Sequence, residues 1–210
     1  MGYDLLVKNG TVIDGSGSPG YRADVGVVDG KIAAIGRINE SANQTIDADG
    51  HIVSPGFVDG HTHMDAQIFW DPIGSCSCYH GVTSVVMGNC GFTLAPCKQE
   101  DADMVFRNLE RAEDLSRDAM LEGIDWRWET FPEFLDVIDE LPKGINYAGY
   151  IGHSALRTYV MGERAFSDAA GQDDVRSMQG LVKQAVQAGA IGISTSRTFN
   201  HLTADDRPVA

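Results

Sequence analysis

Two rhythms of apolar and polar positions divide the chain. From Tyr3 to Val53, short apolar runs alternate with polar residues at the period of half-buried strands, punctuated by Gly-containing turn pairs. Asp4 to Ile13 alternates around Leu5, Val7, Val12 and Ile13, and Asn9-Gly10 inside it predicts a hairpin turn. A Gly/Ser/Pro loop at Gly15 to Gly20 leads to a strand at Ala23 to Val28. Asp29-Gly30 then predicts a turn into Lys31 to Gly36, and Thr45 to Val53 predicts a further strand pair around Asp49-Gly50. Residues 1–55 therefore read as a small β-rich, sandwich-like module without chemistry of its own.

After Pro55-Gly56 the rhythm changes to strands separated by helices, the pattern of βαβ units on a parallel sheet. Strands are expected at Phe57 to His63, Thr83 to Cys90, Asn146 to Gly152 and Ile191 to Ser194. Asp101 to Leu121 predicts one amphipathic helix with Met104, Val105, Leu109, Ala112 and Leu115 as its stripe. A second helix is expected at Phe131 to Leu141, stopped by Pro142 and Gly144, and a third at Asp173 to Ala190.

Composition narrows the possible partners. A formal net charge of -14, with no Lys/Arg cluster to relieve it, argues against nucleic acid. No apolar run approaches the ~18 residues of a membrane span, and Met1-Gly2-Tyr3-Asp4 lacks the basic and apolar parts of a secretory leader, so a cytoplasmic setting is expected. Cys76, Cys78, Cys90 and Cys97 then read as free thiols or metal ligands, and their spacing matches no standard four-cysteine zinc site.

The candidate chemistry gathers at the expected strand ends: His61 and His63, then Asn89-Cys90-Gly91, then His153-Ser154, then Ser194-Thr195-Ser196. On a strand, residues two apart share a side, so His61 and His63 can present both imidazoles to one point, as zinc requires. Two solvated histidines at a polar strand end are the bland alternative. A thiolate at Cys90 would be stabilised by an ion there, although a buried thiol is more often a small hydrophobe. Asp65 is a candidate to orient a ligand, as carboxylates near metal sites commonly do. His153 is as readily structural as functional. Arg157 or Arg197 could grip a substrate carboxylate in two places. His51, His80, Cys76, Cys78 and His201 receive no role.

The run Pro55-Gly56-Phe57-Val58-Asp59-Gly60-His61-Thr62-His63-Met64-Asp65 resembles the first-strand signature of the amidohydrolase superfamily, metal hydrolases built on a (β/α)8 barrel. Gly81 to Pro96, with Asn89-Cys90-Gly91 inside it, Gly152-His153-Ser154-Ala155-Leu156-Arg157, and Gly189-Ala190-Ile191-Gly192-Ile193-Ser194-Thr195 resemble its D-aminoacylase, or N-acyl-D-amino-acid deacylase, branch. The resemblance implies one or two zinc ions held in part by His61, His63 and Cys90, and hydrolysis of a small N-acyl-D-amino acid by a metal-activated water. Cyclic-amidase relatives place a carboxylated lysine at the fourth strand end; Ile191 to Ser196 contains none, which favours the cysteine type, while action on another C–N bond stays open. The family takes further histidine ligands and a catalytic aspartate from later strands. A barrel has eight units in roughly 250 residues, and residues 56–210 supply about four. The expectation is therefore an N-terminal half-barrel that needs its C-terminal half, or a partner, to act; a non-catalytic split subunit is the other possibility.

Overall fold

The computed structural model describes residues 2–110, 114–203 and 206–210, and divides into two compact units, Met1–Gly56 and Phe57–Ala210. Among the described residues no helix is long and apolar enough to cross a membrane.

The first unit contains β1 (Tyr3–Val12), β2 (Tyr21–Val28), β3 (Lys31–Gly36), β4 (Ala42–Asp47) and β5 (Ile52–Val53). They form one sheet in the order β3-β2-β1-β4, with β5 also on β1, so the described residues give a single mixed sheet where a sandwich-like module was expected. Asp29-Gly30 makes the anticipated tight turn, both residues at positive φ (50° and 70°), between antiparallel β2 and β3.

Asn9-Gly10 does not turn the chain. β1 runs straight through it with a register shift between Val7 and Gly10, and Asn9 takes the left-handed conformation at φ 62°. Side chains from the neighbouring strands explain this outcome. The buried Asp24 accepts the Asn9 N–H at 2.8 Å, and Asp47 accepts from Asn9 Nδ2 at 3.0 Å. Asp24 also accepts the Ile38 N–H at 3.0 Å, and these two backbone bonds hold its carboxyl below the usual range. The strand pair expected around Asp49-Gly50 is likewise absent: β4 and β5 both run parallel to β1.

The second unit carries four parallel strands, β6 (Phe57–Asp59), β7 (Val82–Met87), β8 (Asn146–Gly152) and β9 (Gly192–Ser194), in that spatial order. Its helices are α1 (Ser75–Cys78), α2 (Ala102–Glu110), α3 (Arg117–Gly123), α4 (Phe131–Glu140), α5 (His153–Met161) and α6 (Gln172–Ala188). The core joins Met87 and Ile151 of the sheet to Phe106 and Leu109 of α2, Met120 of α3, Phe131 and Phe134 of α4 and Leu156 of α5.

The single helix expected over 101–121 is replaced by α2 and α3. Ser116 starts α3 as its N-cap by accepting the Ala119 N–H at 3.3 Å. Val105 and Leu109 of the stripe are buried, while Ala112 lies outside the described residues. The first two strands also stop earlier than their apolar patterns suggest, β6 at Asp59 and β7 at Met87.

Candidate metal centre

Both early stops place ligand-type residues in tight turns at the carboxyl ends of the strands. After β6, the Asp59 carboxylate accepts the His61 N–H at 3.1 Å, which turns the chain out of extended geometry. Thr62 then fastens the turn to β7, its N–H and hydroxyl both donating to the Val86 carbonyl, at 2.9 and 2.8 Å. The buried Asn89 donates from Nδ2 to the Thr62 and Val86 carbonyls at 3.1 and 2.9 Å. His61 and His63, on either side of this anchor, lie with ring centroids 5.4 Å apart.

Beyond β7 the chain makes one turn of 3-10 helix at Asn89–Gly91, preceded by Gly88 in the left-handed region. Gly88 (φ 76°), Cys90 (φ 57°) and Gly91 (φ 91°) all have positive φ. At Gly88 a Cβ would stand 2.4 Å from the Tyr150 carbonyl oxygen, and at Gly152 one would stand 2.3 Å from that of Gly91. Only glycines allow the turn to lie this close to β8. The turn brings Cys90 Sγ to 3.4 Å from His61 Nε2.

One donor atom from each of His61, His63 and Cys90 thus falls within 4.8 Å of the others. Burial, then the neighbouring His61 and His201, lower the His63 pKa to about 4, so its imidazole is neutral at ordinary pH and has a lone pair to offer. Two imidazoles and one thiol suit a borderline-soft divalent ion. Cys97 is different in kind. Burial, with Asp101 and Glu129 nearby, pushes its thiol up to about 12, and it packs as a small hydrophobe.

The other sequence candidates scatter. Asp65 is buried beneath the turn, where Oδ2 accepts the Gly88 N–H at 2.9 Å, so it braces the Cys90 turn. His153 opens α5 half-buried, its pKa lowered by burial and by the Arg157 and Arg197 charges, and lines an apolar hollow with Leu156 and Ile193. Arg157 ties α5 to the following segment, Nη2 donating to the Ala165 and Asp168 carbonyls at 2.8 and 2.9 Å. Those bonds engage Nη2 of its guanidinium with backbone oxygens. Arg197 is exposed three residues beyond the end of β9. His51 and His80 are exposed, as is Cys76.

His201 is the residue that sequence reasoning passed over. Its ring lies 5.2 Å from that of Phe92, which in turn lies 6.2 Å from His63, so the segment after β9 folds back toward the histidine pair. Nothing in the local sequence signals that return. Thr62 and Asn89, by contrast, stood at expected strand ends, but only the fold reveals the carbonyls they hold.

The match to the Amidohydro_3 model, described as Amidohydrolase family, spans residues 44–208, and the chain belongs to that family. A D-aminoacylase from Alcaligenes xylosoxydans xylosoxydans is 39% identical over 198 residues, which cover 94% of this chain and 38% of the relative. Among solved structures, a D-aminoacylase described for the functional role of its binuclear metal centre superposes with a TM-score of 0.77 at 37% identity, covering 97% of this chain and 41% of that one. The N-acyl-D-glutamate deacylase of Bordetella bronchiseptica, solved with zinc and a phosphonate mimic of the tetrahedral intermediate, gives 0.77 at 33% identity, with 93% and 38% coverage. The chain thus spans 38 to 41% of the length of these relatives.

Proposed function

We propose that this chain is the N-terminal half of a (β/α)8 barrel in a zinc-dependent hydrolase of N-acyl-D-amino acids, residues 1–55 forming its small β-rich module. The observation that carries the reading is the convergence of His61, His63 and Cys90. Zinc in the Bordetella deacylase and a binuclear centre in the D-aminoacylase support a divalent ion, and the names of those relatives support an amide of a D-amino acid as substrate. A divalent ion held here would supply Lewis acidity toward the scissile carbonyl and lower the pKa of water.

The chain's own residues do the holding. His63 offers a neutral imidazole, His61 joins it from the same turn, and Cys90 approaches from the next strand. Asp65 and Asn89 keep the two turns in register. Arg157 or the exposed Arg197 would offer a guanidinium to a substrate carboxylate. In keeping with the family resemblance, the remaining histidine ligands and the aspartate that accepts the proton belong to later strands, outside these 210 residues.

The test is made on the protein at its natural length. Hydrolysis of N-acetyl-D-amino acids is expected, with the L isomers and hydantoin turned over at least about a hundredfold more slowly, a gap of about 2.7 kcal/mol. Exhaustive chelation should abolish it and zinc restore it. Cys90→Ala should lower both zinc content and activity; wild-type zinc content in that variant would end the assignment of Cys90.

A further inference from the structure

Ser194 closes β9, yet its side chain works at the end of β7. Its hydroxyl donates to the Gly88 carbonyl and accepts the Gly91 N–H, the latter at 3.0 Å. One side chain, more than a hundred residues away along the chain, therefore joins both ends of the four-residue turn that presents Cys90. Gly88, Asn89 and Gly91 are buried within that turn. Without the hydroxyl, a buried carbonyl and a buried N–H would both need new partners.

We propose that Ser194 is the positioning residue for Cys90, holding the thiol at the histidine pair by locking the Gly88–Gly91 turn closed. Its role presupposes that His61, His63 and Cys90 hold a divalent ion. Three residues of the turn have positive φ, and Cys90 alone among them carries a side chain, so the turn is least stable at its ligand. The β8 backbone packs directly against the turn, since a Cβ at Gly88 would strike the Tyr150 carbonyl and one at Gly152 would strike the Gly91 carbonyl, but this packing does not tie the two ends of the turn together. The serine does so in a single arrangement: one hydroxyl proton points to Gly88 and one lone pair to Gly91. Threonine keeps that pair of bonds, and alanine or valine removes it.

The experiment titrates Co2+ into the metal-free, natural-length protein and reads the near-ultraviolet charge-transfer band of a thiolate bound to cobalt. Cys90→Ala defines the absence of the band. Ser194→Ala is expected to weaken the band and to lower cobalt affinity about tenfold or more, the range seen when residues that orient metal ligands are removed. Ser194→Thr is expected to recover most of both. A wild-type band and affinity in Ser194→Ala would overturn the proposal, and so would losses of equal size in the Ala and Thr variants, which would assign the effect to packing. A wild-type protein whose cobalt spectrum is unchanged by Cys90→Ala would instead sink the metal-site reading itself. Should Ser194→Ala fail to fold, hydrogen exchange in the metal-free wild type decides: the Gly91 amide is expected to exchange at least about tenfold more slowly than in an unstructured peptide. Exchange at the free-peptide rate would show that the turn is not locked.

Discussion

A cysteine held at φ 57° between two left-handed glycines is a costly way to place a thiol, because a left-handed residue with a side chain costs roughly 1–2 kcal/mol. The glycines around it bear the steric part of the arrangement. Gly88→Ala would place a methyl group 2.4 Å from the Tyr150 carbonyl in a conformation that alanine avoids. We expect a loss of about 2–4 kcal/mol, read as a lower urea midpoint at unchanged slope. A shift below about 0.5 kcal/mol would mean that the turn can leave β8.

His63 makes stability depend on pH in a direction that can be worked out. Its folded pKa, about 4, lies below the roughly 6.5 of an unfolded histidine, so folding favours the neutral ring. The contribution is fully present above pH ~6.5 and is lost as pH falls from there toward 4. Between pH 7.5 and 5.0, the metal-free wild type should therefore lose more stability than His63→Gln, compared by denaturant midpoints. Parallel losses in the two proteins would show that the ring is more solvated than its surroundings indicate. At this scale the three ligand-type residues were singled out by strand-end position together with the family resemblance. The reason they converge was not legible. It lies in Asp59, Thr62, Asn89 and Ser194, whose hydrogen bonds reach across strands and leave no periodic trace.

Several elements with strong local signals matched their sequence patterns, and one decided by distant partners departed from its own. β8 falls at the residues its pattern predicted, and α4 and α6 fall within two residues of theirs. For α4 the cause is visible in a few neighbours: Thr130 accepts the Glu133 N–H, Glu133 accepts the Thr130 N–H at 2.9 Å, and Pro132 sits in the first turn. Thr130→Ala should cost about 1 kcal/mol of stability, with Thr130→Ser nearly neutral, in thermal or urea unfolding. Equal losses in the two variants would mean that the threonine methyl matters more than its hydroxyl. Asn9-Gly10 shows the opposite case. The dipeptide asks for positive φ and obtains it, but Asp24 and Asp47 convert a hairpin signal into a bulge within a continuing strand. In α2 and α3 the hydrophobic stripe continues while Ser116 begins a new helix, because a cap costs the apolar face nothing. α5 was not anticipated at all; it follows directly on Gly152 at the end of β8 and has a modest apolar stripe.

For the second unit as a whole, four parallel strands were readable from the alternation of strand and helix patterns, and the consequence shows at the two outer strands. On β6, Phe57 and Val58 are 67% and 70% exposed, and on β9 Ile193 is 52% exposed. Beside β9 an apolar hollow of ≈ 670 Å³ is lined by Leu156, Val175, Met178, Val182 and Val186 of α5 and α6. A parallel sheet is ordinarily buried on both faces and leaves no edge strand bare, so these surfaces need a cover. On the half-barrel reading, the cover is the later βα units of the same protein. The 210-residue chain expressed by itself should then bind an apolar dye such as ANS and self-associate, while the natural-length protein should do neither. Charged substitutions divide the cases further. Val186→Glu in the hollow should destabilise the natural-length protein, where the residue would be enclosed, and improve the solubility of the isolated chain, where it faces water. If Val186→Glu left the natural-length protein at its wild-type midpoint, the hollow would be a solvent-facing surface and the packing of later units against α6 would have to be abandoned.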